Sequence, residues 1–321
     1  MFTSASGSSW ELLQENVGIA AMQMELLNND RVIMFDRTDS GRLISLYRMA
    51  IVGVTQMTRL QTDVWCSSGA VTADGRLIQT GGFNDGERRI RIFTPATTTV
   101  TSRKQFNYEF YPKNTAPGLF SLSFLSETND RGVEDNLYPF VNLKNLQAPN
   151  IQAEVLICGR GANGSYTESL KKKLLPDLDT CARINITDPN PEWVMETKPL
   201  RRVLGDMILL PDSTVLIINS AASGSAGWEQ GRDPVLSPVI YRPNNPIGSR
   251  FEVQSPTTIP RMYHSTAGLV HDGRVFVAGS NPHAYYNFTG VLFPTELRLE
   301  AFPPDHLNAQ FDNIVRLSLR Q

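Results

Sequence analysis

Histidine and cysteine are scarce in this chain, with four histidines and three cysteines among 321 residues. No run approaches the roughly 18 apolar residues that span a membrane, and the Ser-rich segment from Met1 to Trp10 lacks the cationic and apolar regions of a signal peptide. A Gly-rich phosphate loop, CxxC, HExxH and a nucleophile elbow are all missing. The net charge of −2, without a basic stripe, argues against nucleic acid as a partner.

What the chain does contain is the composition of a globular protein, with 41% hydrophobic and 19% charged residues. Helical periodicity is scarce, and pairs of short apolar strands around tight turns recur instead. Ser68–Gly82 and Ser265–Gly279 are the clearest copies. Their central Asp-Gly predicts a type I′ turn, which requires positive φ at both residues. Weaker copies turn at Asn28–Asp30 and at Pro211–Ser213.

The spacing of these hairpins predicts an all-β propeller. Units of about 45 residues with about four short strands each are typical of propeller blades. One hairpin cannot bury both faces of its sheet, whereas blades packed around an axis can. A β-sandwich is the alternative, although its loops would not need a repeated Asp-Gly-Arg turn. The pattern is interrupted at the Thr-rich residues 95–104, where no second hairpin is recognised after the strand at Arg89–Phe93.

The cysteines and three sequons point towards an oxidising, extracellular environment. Cys158 and Cys181 could close a modest loop as a disulfide, which leaves Cys66 as the odd thiol. A buried, inert thiol is the other interpretation of Cys66. The predicted N-glycosylation sites are Asn163, Asn185 and Asn287.

Tyr263 and His264 are the candidate metal ligands. They open the second clear hairpin, and Cys66 holds the corresponding position in the first. Imidazole with phenolate is an N,O pair that suits copper(II), and strand twist can bring both side chains towards one site. Packing is the alternative interpretation. The remaining histidines are interpreted as turn, loop and tail residues: His271, His283 and His306.

A series of ordered motifs from about residue 10 to 305 resembles the glyoxal oxidase family, specifically the plant-type aldehyde oxidases related to galactose oxidase. In chain order the motifs are Trp10–Leu13, Asn16–Ala20, Asp36–Thr38, Trp65–Ala70, Gln105–Pro112, Thr187–Trp193, Arg261–Ser265 and Gly279–His283.

The resemblance implies a seven-bladed, galactose oxidase-like kelch-type β-propeller in a secreted, monomeric copper radical oxidase. One copper ion and a tyrosine radical, joined by a thioether to a cysteine, would oxidise a small aldehyde to a carboxylic acid while O₂ becomes hydrogen peroxide. Cys66 matches the thioether cysteine. Tyr263 matches the axial tyrosinate that takes the substrate's hydroxyl proton, and His264 matches one equatorial imidazole.

Two parts of the family's site have no match in this sequence. The Arg-Trp-Tyr-Ala-Thr type segment that carries the crosslinked tyrosine is absent between Phe93 and Gln105, and Tyr108 and Tyr111 match non-catalytic positions. The Thr-His-Ser-Phe type motif with the second equatorial histidine is absent as well. The propeller and the copper site are therefore expected to be incomplete in this chain.

Two hypotheses follow. The first is an enzyme, a copper radical aldehyde oxidase or a truncated or alternatively spliced form of one, which could be inactive. The second is a non-catalytic kelch-like binding module. The expected organisation is a disordered segment at 1–9, a propeller at 10–300 and the start of a truncated C-terminal β-sandwich at 301–321. With two protein ligands, the purified chain is expected to hold no stoichiometric copper and to release no peroxide from glyoxal or methylglyoxal.

Overall fold

The computed structural model describes residues 9–37, 44–48, 54–58, 64–65, 67–72, 74–81, 89–94, 99–104, 140–144, 152–159 and 161–307. The predictions on Cys66, Tyr108 and Tyr111 fall outside these residues, as does most of the segment predicted to be disordered. In the described part the protein is almost entirely β-structure, with one short α-helix, α1 (Ser165–Leu170), and a 3₁₀ turn at Asp305–Leu307.

Five four-stranded antiparallel sheets make up the described chain. Sheet 1 contains β2 (Gln23–Leu26), β3 (Arg31–Phe35), β4 (Ile44–Arg48) and β5 (Val54–Thr58). Sheet 2 contains β6 (Ser67–Val71), β7 (Leu77–Gly81), β8 (Arg89–Thr94) and β9 (Thr99–Lys104). Sheet 3 contains β10 (Phe140–Lys144), β11 (Gln152–Cys158), β12 (Thr180–Asn185) and β13 (Val194–Thr197).

Sheet 4 contains β14 (Asp206–Leu209), β15 (Val215–Ile218), β18 (Val239–Tyr241) and β19 (Phe251–Val253). A separate two-stranded ribbon, β16 (Ala221–Gly224) and β17 (Gly231–Pro234), is inserted between β15 and β18. Sheet 5 contains β20 (Ser265–Leu269), β21 (Val275–Gly279), β22 (Leu299–Phe302) and β1 (Glu11–Gln14). Pairing of β1 with β22 therefore brings the two ends of the described chain into one sheet.

Hydrophobic clusters join these sheets in the order 3, 4, 5, 1, 2. Leu156 of sheet 3 packs with Val215 of sheet 4, and Leu216 of sheet 4 packs with Val275 of sheet 5. The cluster between sheets 5 and 1 contains Ile19, Met34, Phe276 and Leu299. The cluster between sheets 1 and 2 contains Leu27, Phe35, Leu77 and Phe93. Sheets 4, 5 and 1 thus pack against a neighbour on both faces, as propeller blades do, whereas sheets 3 and 2 each have one neighbour among the described sheets.

The hairpin turns differ from the predicted type I′ geometry. Among the described turn residues, only the last of each turn has positive φ: Gly75 (79°), Gly273 (88°), Asp30 (59°) and Ser213 (66°). In all four hairpins this residue's N–H donates to the carbonyl three residues earlier, for example Gly273 to Val270 at 2.9 Å. This arrangement is a type I turn followed by one left-handed residue, so the type I′ prediction is wrong and the weaker copies share the geometry of the clear ones.

The expected interruption at the Thr-rich junction is also wrong. Thr99–Lys104 forms β9 and pairs with β8 along its whole length, from Arg89 opposite Lys104 to Thr94 opposite Thr99. The consecutive β-branched residues Thr99, Val100 and Thr101 favour a strand. Sheet 2 therefore has its fourth strand. The domain boundary at residue 300 stays a prediction, and β22 continues to Phe302.

Cys158 and Cys181 lie directly opposite each other on β11 and β12 and form a disulfide. Both cysteines belong to the cluster between sheets 3 and 4. Among the described residues, no helix is both long enough and apolar enough to cross a bilayer.

Candidate copper site

The candidate ligands lie at the end of the sheets opposite the four hairpin turns. Tyr263 and His264 immediately precede β20, whereas the turn that carries Gly273 follows β20. The same end receives the chain after β3, before β6 and after β21, because these strands are antiparallel to their hairpin partners. Side chains from sheets 1, 2 and 5 can therefore meet there.

The rings of Tyr263 and His264 stack on each other, with centroids 3.8 Å apart and planes 28° apart. Neighbouring residues of a regular strand point to opposite faces. His264 departs from that geometry, since its φ of 60° lies in the left-handed region. A non-glycine residue there is unusual and costs conformational energy. This backbone conformation is what places phenol and imidazole side by side.

Backbone contacts on both sides hold this conformation. The Asn281 N–H donates to the Tyr263 carbonyl at 2.9 Å, and the Ser280 hydroxyl oxygen accepts from the Met262 N–H at 3.0 Å. The Arg261 guanidinium is almost completely buried and pairs with Glu300 at 2.8 Å. It also donates to the Gly279 carbonyl at 2.9 Å. The dipeptide is thus fixed to the end of β21.

The imidazole of His264 is buried and makes no hydrogen bond to the described residues. Both ring nitrogens are fully buried, and within the described part of the chain neither has a hydrogen-bond partner. The Asn281 main chain lies close enough to favour the charged imidazole slightly, without hydrogen-bond geometry. Desolvation, helped by the positive charge of Arg37, lowers the pKa of His264 to about 3. The imidazole is therefore neutral at ordinary pH, which is the form that binds metals.

Two tryptophans and a buried arginine adjoin the ligand pair. The indole of Trp65 meets the His264 ring edge-on, with centroids 6.0 Å apart, and stacks with Trp228 at 5.7 Å. Arg37 is fully buried, with its guanidinium carbon 5.6 Å from the Trp65 centroid and 5.7 Å from the Trp228 centroid. Trp65, the residue that precedes Cys66 in the chain, therefore lies at this site.

The other histidines do not join His264. His271 is exposed on the hairpin turn at the far end of β20. His306 lies against the same turn, because a Cβ on Gly273 would come within 3.0 Å of its Nε2. A five-residue strand, about 17 Å long, separates that turn from His264. Neither histidine can therefore complete the site.

His283 is near the candidate site, but its ring is engaged elsewhere. Its Nε2 donates to the Phe293 carbonyl at 2.7 Å, and its Nδ1 lies 3.1 Å from a Glu229 carboxylate oxygen. His283 is thus a loop residue, as predicted, and its ring connects its own loop with the segments of Glu229 and Phe293. A small open pocket of about 90 Å³ lies beside it, bordered by Glu229, Arg232 and Phe293.

Tyr263 and His264 fit copper(II) as part of a donor set. The orphaned, neutral imidazole beside a phenol supplies the N and O atoms that copper(II) favours. Two protein donors do not complete a tetragonal site, and the described ranges contain no group of three His, Cys, Asp or Glu side chains that could hold a metal ion. The predicted ligands are thus brought together, while the structure does not describe the predicted partner Cys66.

Sequence reasoning did not identify Arg37 and Trp228 as residues of the site. Arg37 belongs to the motif Asp36–Thr38, but nothing in that motif indicates which side chains it contacts. Trp228 lies in the connection of the β16–β17 ribbon, far from Trp65 in sequence. Burial of an arginine could not be read from the sequence, because arginine is usually exposed.

A known protein family matches the segments that contain the candidate ligands. A family model described as "Glyoxal oxidase N-terminus" matches residues 45–102 and 144–306, more than half of the chain. The chain belongs to the glyoxal oxidase family. Tyr263 and His264 lie within the second matched segment, and Trp65 and Cys66 lie within the first.

Relatives in plants match nearly the whole chain. "Aldehyde oxidase GLOX" of Vitis pseudoreticulata is 33% identical over 408 residues, which cover 95% of this chain and 77% of the relative. "Aldehyde oxidase GLOX1" of Arabidopsis thaliana is 30% identical, with 95% of this chain and 67% of the relative covered. The first alignment is longer than the 321-residue chain. That relative therefore has residues, inside the aligned region, which this chain lacks.

A solved structure confirms the fold class. A fungal alcohol oxidase of the AA5 family, determined in complex with copper, superimposes with a TM-score of 0.56 at 13% identity. The match covers 96% of this chain and 79% of that structure. The predicted all-β, galactose oxidase-like fold is thus confirmed. The seven-bladed count stays a prediction, since the described residues form five such sheets.

Proposed function

We propose that the site is that of a copper radical oxidase that converts aldehydes to carboxylic acids, and that this chain contains part of it. In the reaction, an aldehyde hydrate RCH(OH)₂ and O₂ give RCOOH and H₂O₂, so the carbon-bound hydrogen and one hydroxyl hydrogen pass to oxygen. The observation that carries the proposal is the orphaned imidazole of His264 stacked on Tyr263. The family and its relatives named aldehyde oxidase support the reaction class.

The residues of this chain would divide the work as follows. His264 would offer a neutral nitrogen to copper, and a bound copper ion would supply one-electron chemistry. Cys66 matches the family's thioether cysteine, but the tyrosine that it would be crosslinked to has no match in this sequence. Tyr263 would take the hydroxyl proton of the substrate at its phenolate oxygen.

The reaction is tested with the purified chain, one equivalent of copper(II), O₂ and glyoxal or methylglyoxal. Because two protein donors leave most copper positions to water, we expect less than one bound copper per chain and no peroxide. Peroxide that disappears in Cys66→Ala would show that a tyrosine outside the matched motifs completes the site. Copper binding that is equal in wild type and His264→Ala would contradict the proposed site.

A non-catalytic binding module is the second candidate function. The loops beside the site expose large apolar side chains, with exposed fractions of 42% for Trp228, 73% for Tyr285 and 67% for Leu292. Such a surface suits a ligand or partner better than water. Absence of site-specific copper binding would favour this function.

We also propose that the protein is a secreted, glycosylated monomer. The disulfide between Cys158 and Cys181 and the exposed Asn163 side chain support an extracellular location. Asn185 and Asn287 are half-buried, and their side chains accept hydrogen bonds from Thr187 and Thr289. Asn163→Gln should therefore remove the most readily modified site, measured as a mobility shift after expression in a secreting host.

A further inference from the structure

Arg37 is a fully buried cation without an assigned role at the candidate site. Burying a guanidinium is costly unless its surroundings compensate for the lost hydration. The compensation here includes two aromatic faces. The guanidinium carbon and the centroids of Trp65 and Trp228 form a nearly equilateral triangle, with sides of 5.6, 5.7 and 5.7 Å.

The guanidinium lies over both indole rings of the stacked pair. A cation within about 6 Å of an indole centroid is attracted by the ring, and desolvation strengthens the attraction. Trp65 precedes sheet 2, whereas Trp228 lies in the connection of the β16–β17 ribbon, which is inserted between β15 and β18 of sheet 4. Arg37 therefore connects two aromatic residues that no common strand holds together.

Arg37 is itself anchored to sheet 5. Its Nη2 donates to the Ala284 carbonyl, and its backbone N–H donates to the Asp36 carboxylate at 2.7 Å. The other Asp36 oxygen accepts from the Tyr286 hydroxyl, which in turn accepts from the Ala20 N–H at 2.7 Å. Because Ala284 and Tyr286 follow β21, these contacts fix the guanidinium relative to the segment that holds Tyr263 and His264.

The position of Trp65 matters for the ligand pair, since its indole forms the wall beside the His264 ring, edge-on at 6.0 Å. We propose that Arg37 is a positioning residue: its guanidinium holds the Trp65–Trp228 pair against Tyr263 and His264 and thereby shapes one wall of the copper site. The effect of Arg37 on the Trp65–Trp228 stack can be tested without copper. Its effect on copper binding rests on the proposed function.

The test uses the full chain with Trp10 and Trp193 replaced by phenylalanine, so that the two remaining tryptophans report on the pair. In this background Arg37→Met removes the charge and Arg37→Lys retains it. Arg250→Met is the matched control, because Arg250 is buried like Arg37. Arg250 pairs with Glu196 at 2.9 Å and has no tryptophan contact among the described residues. Circular dichroism of the metal-free protein measures the exciton couplet of the stacked indoles.

We expect Arg37→Met to lose roughly half or more of the couplet, Arg37→Lys to restore part of it, and Arg250→Met to leave it unchanged. Copper(II) titration, followed by quenching of the tryptophan emission, should then show affinity about tenfold weaker in Arg37→Met than in its background. A couplet that survives Arg37→Met, or that is lost equally in Arg250→Met, would overturn the positioning role. Unchanged copper affinity in Arg37→Met would overturn its effect on the site.

The two proposals fail in different ways. If the copper site is wrong, copper fails to quench the pair in the parent protein, while the couplet still depends on Arg37. If the role of Arg37 is wrong, copper quenches the parent protein and the couplet does not depend on Arg37.

Discussion

The buried imidazole of His264 predicts a specific dependence of stability on pH. Its pKa is lowered from 6.5 to about 3 in the folded protein. Between these values the unfolded chain binds a proton that the folded protein does not, so stability falls as pH decreases below 6.5. At about 1.36 kcal/mol per unit, His264 should cost the fold about 2.7 kcal/mol at about pH 4.5 relative to neutral pH.

The measurement is urea unfolding of the metal-free chain at several pH values, comparing wild type with His264→Gln. Subtracting the two curves removes the contributions of other titrating groups, so the difference should change by about 2.7 kcal/mol between neutral pH and about pH 4.5. His271→Gln is the matched control for the loss of a histidine, because His271 is exposed on a turn. A His264→Gln curve that runs parallel to the wild-type curve would refute the buried imidazole.

Two further predictions concern the scaffold. Replacing Cys158 and Cys181 with alanine removes a crosslink between residues 23 positions apart in sequence. The free energy of unfolding, measured by denaturant titration, should fall by about 3 kcal/mol. A loss below about 1 kcal/mol would contradict the disulfide. Gly279→Ala should cost about 3 kcal/mol or more, because φ is 73° and the new Cβ would lie 1.8 Å from the Ala21 carbonyl oxygen. Gly248→Ala has a similar φ of 88° and open space around its Cβ, so it should cost only about 1 kcal/mol; equal losses in the two variants would show that the close approach at Ala21 is absent.

Local sequence signals predicted the hairpins better than their turns. Asp-Gly between apolar runs correctly located β6–β7 and β20–β21. The turn type could not be read from it, since Asp-Gly suits both a type I′ turn and a type I turn followed by a left-handed residue. That Asp30 and Ser213 take the left-handed position without glycine depends on the strands that they connect.

The candidate site was predictable only where its residues are contiguous. Tyr263 and His264 could be named together from the motif, but their stacking depends on the positive φ of His264, which the contacts of Asn281 and Gly279 impose from another strand. The contribution of Arg37 depends on three distant segments meeting at one end of the sheets. Such contacts are a property of the fold and have no periodicity in the sequence.

At the Thr-rich junction, the sequence pattern failed to predict a strand that is present. The absence of a recognised hairpin after β8 was interpreted as an interruption, whereas Thr99–Lys104 completes sheet 2. The family's tyrosine motif is nevertheless missing from the sequence, and the alignment with the Vitis pseudoreticulata relative is longer than this chain.

The most direct test of the central claim is electron paramagnetic and absorption spectroscopy of copper(II) added to the full chain. We expect a weak site with splitting from one imidazole nitrogen, lost in His264→Ala, and a tyrosinate-to-copper absorption band, lost in Tyr263→Phe. Both signals should persist in His271→Ala. Spectra that are the same in wild type, His264→Ala and Tyr263→Phe would show that copper does not bind at Tyr263 and His264.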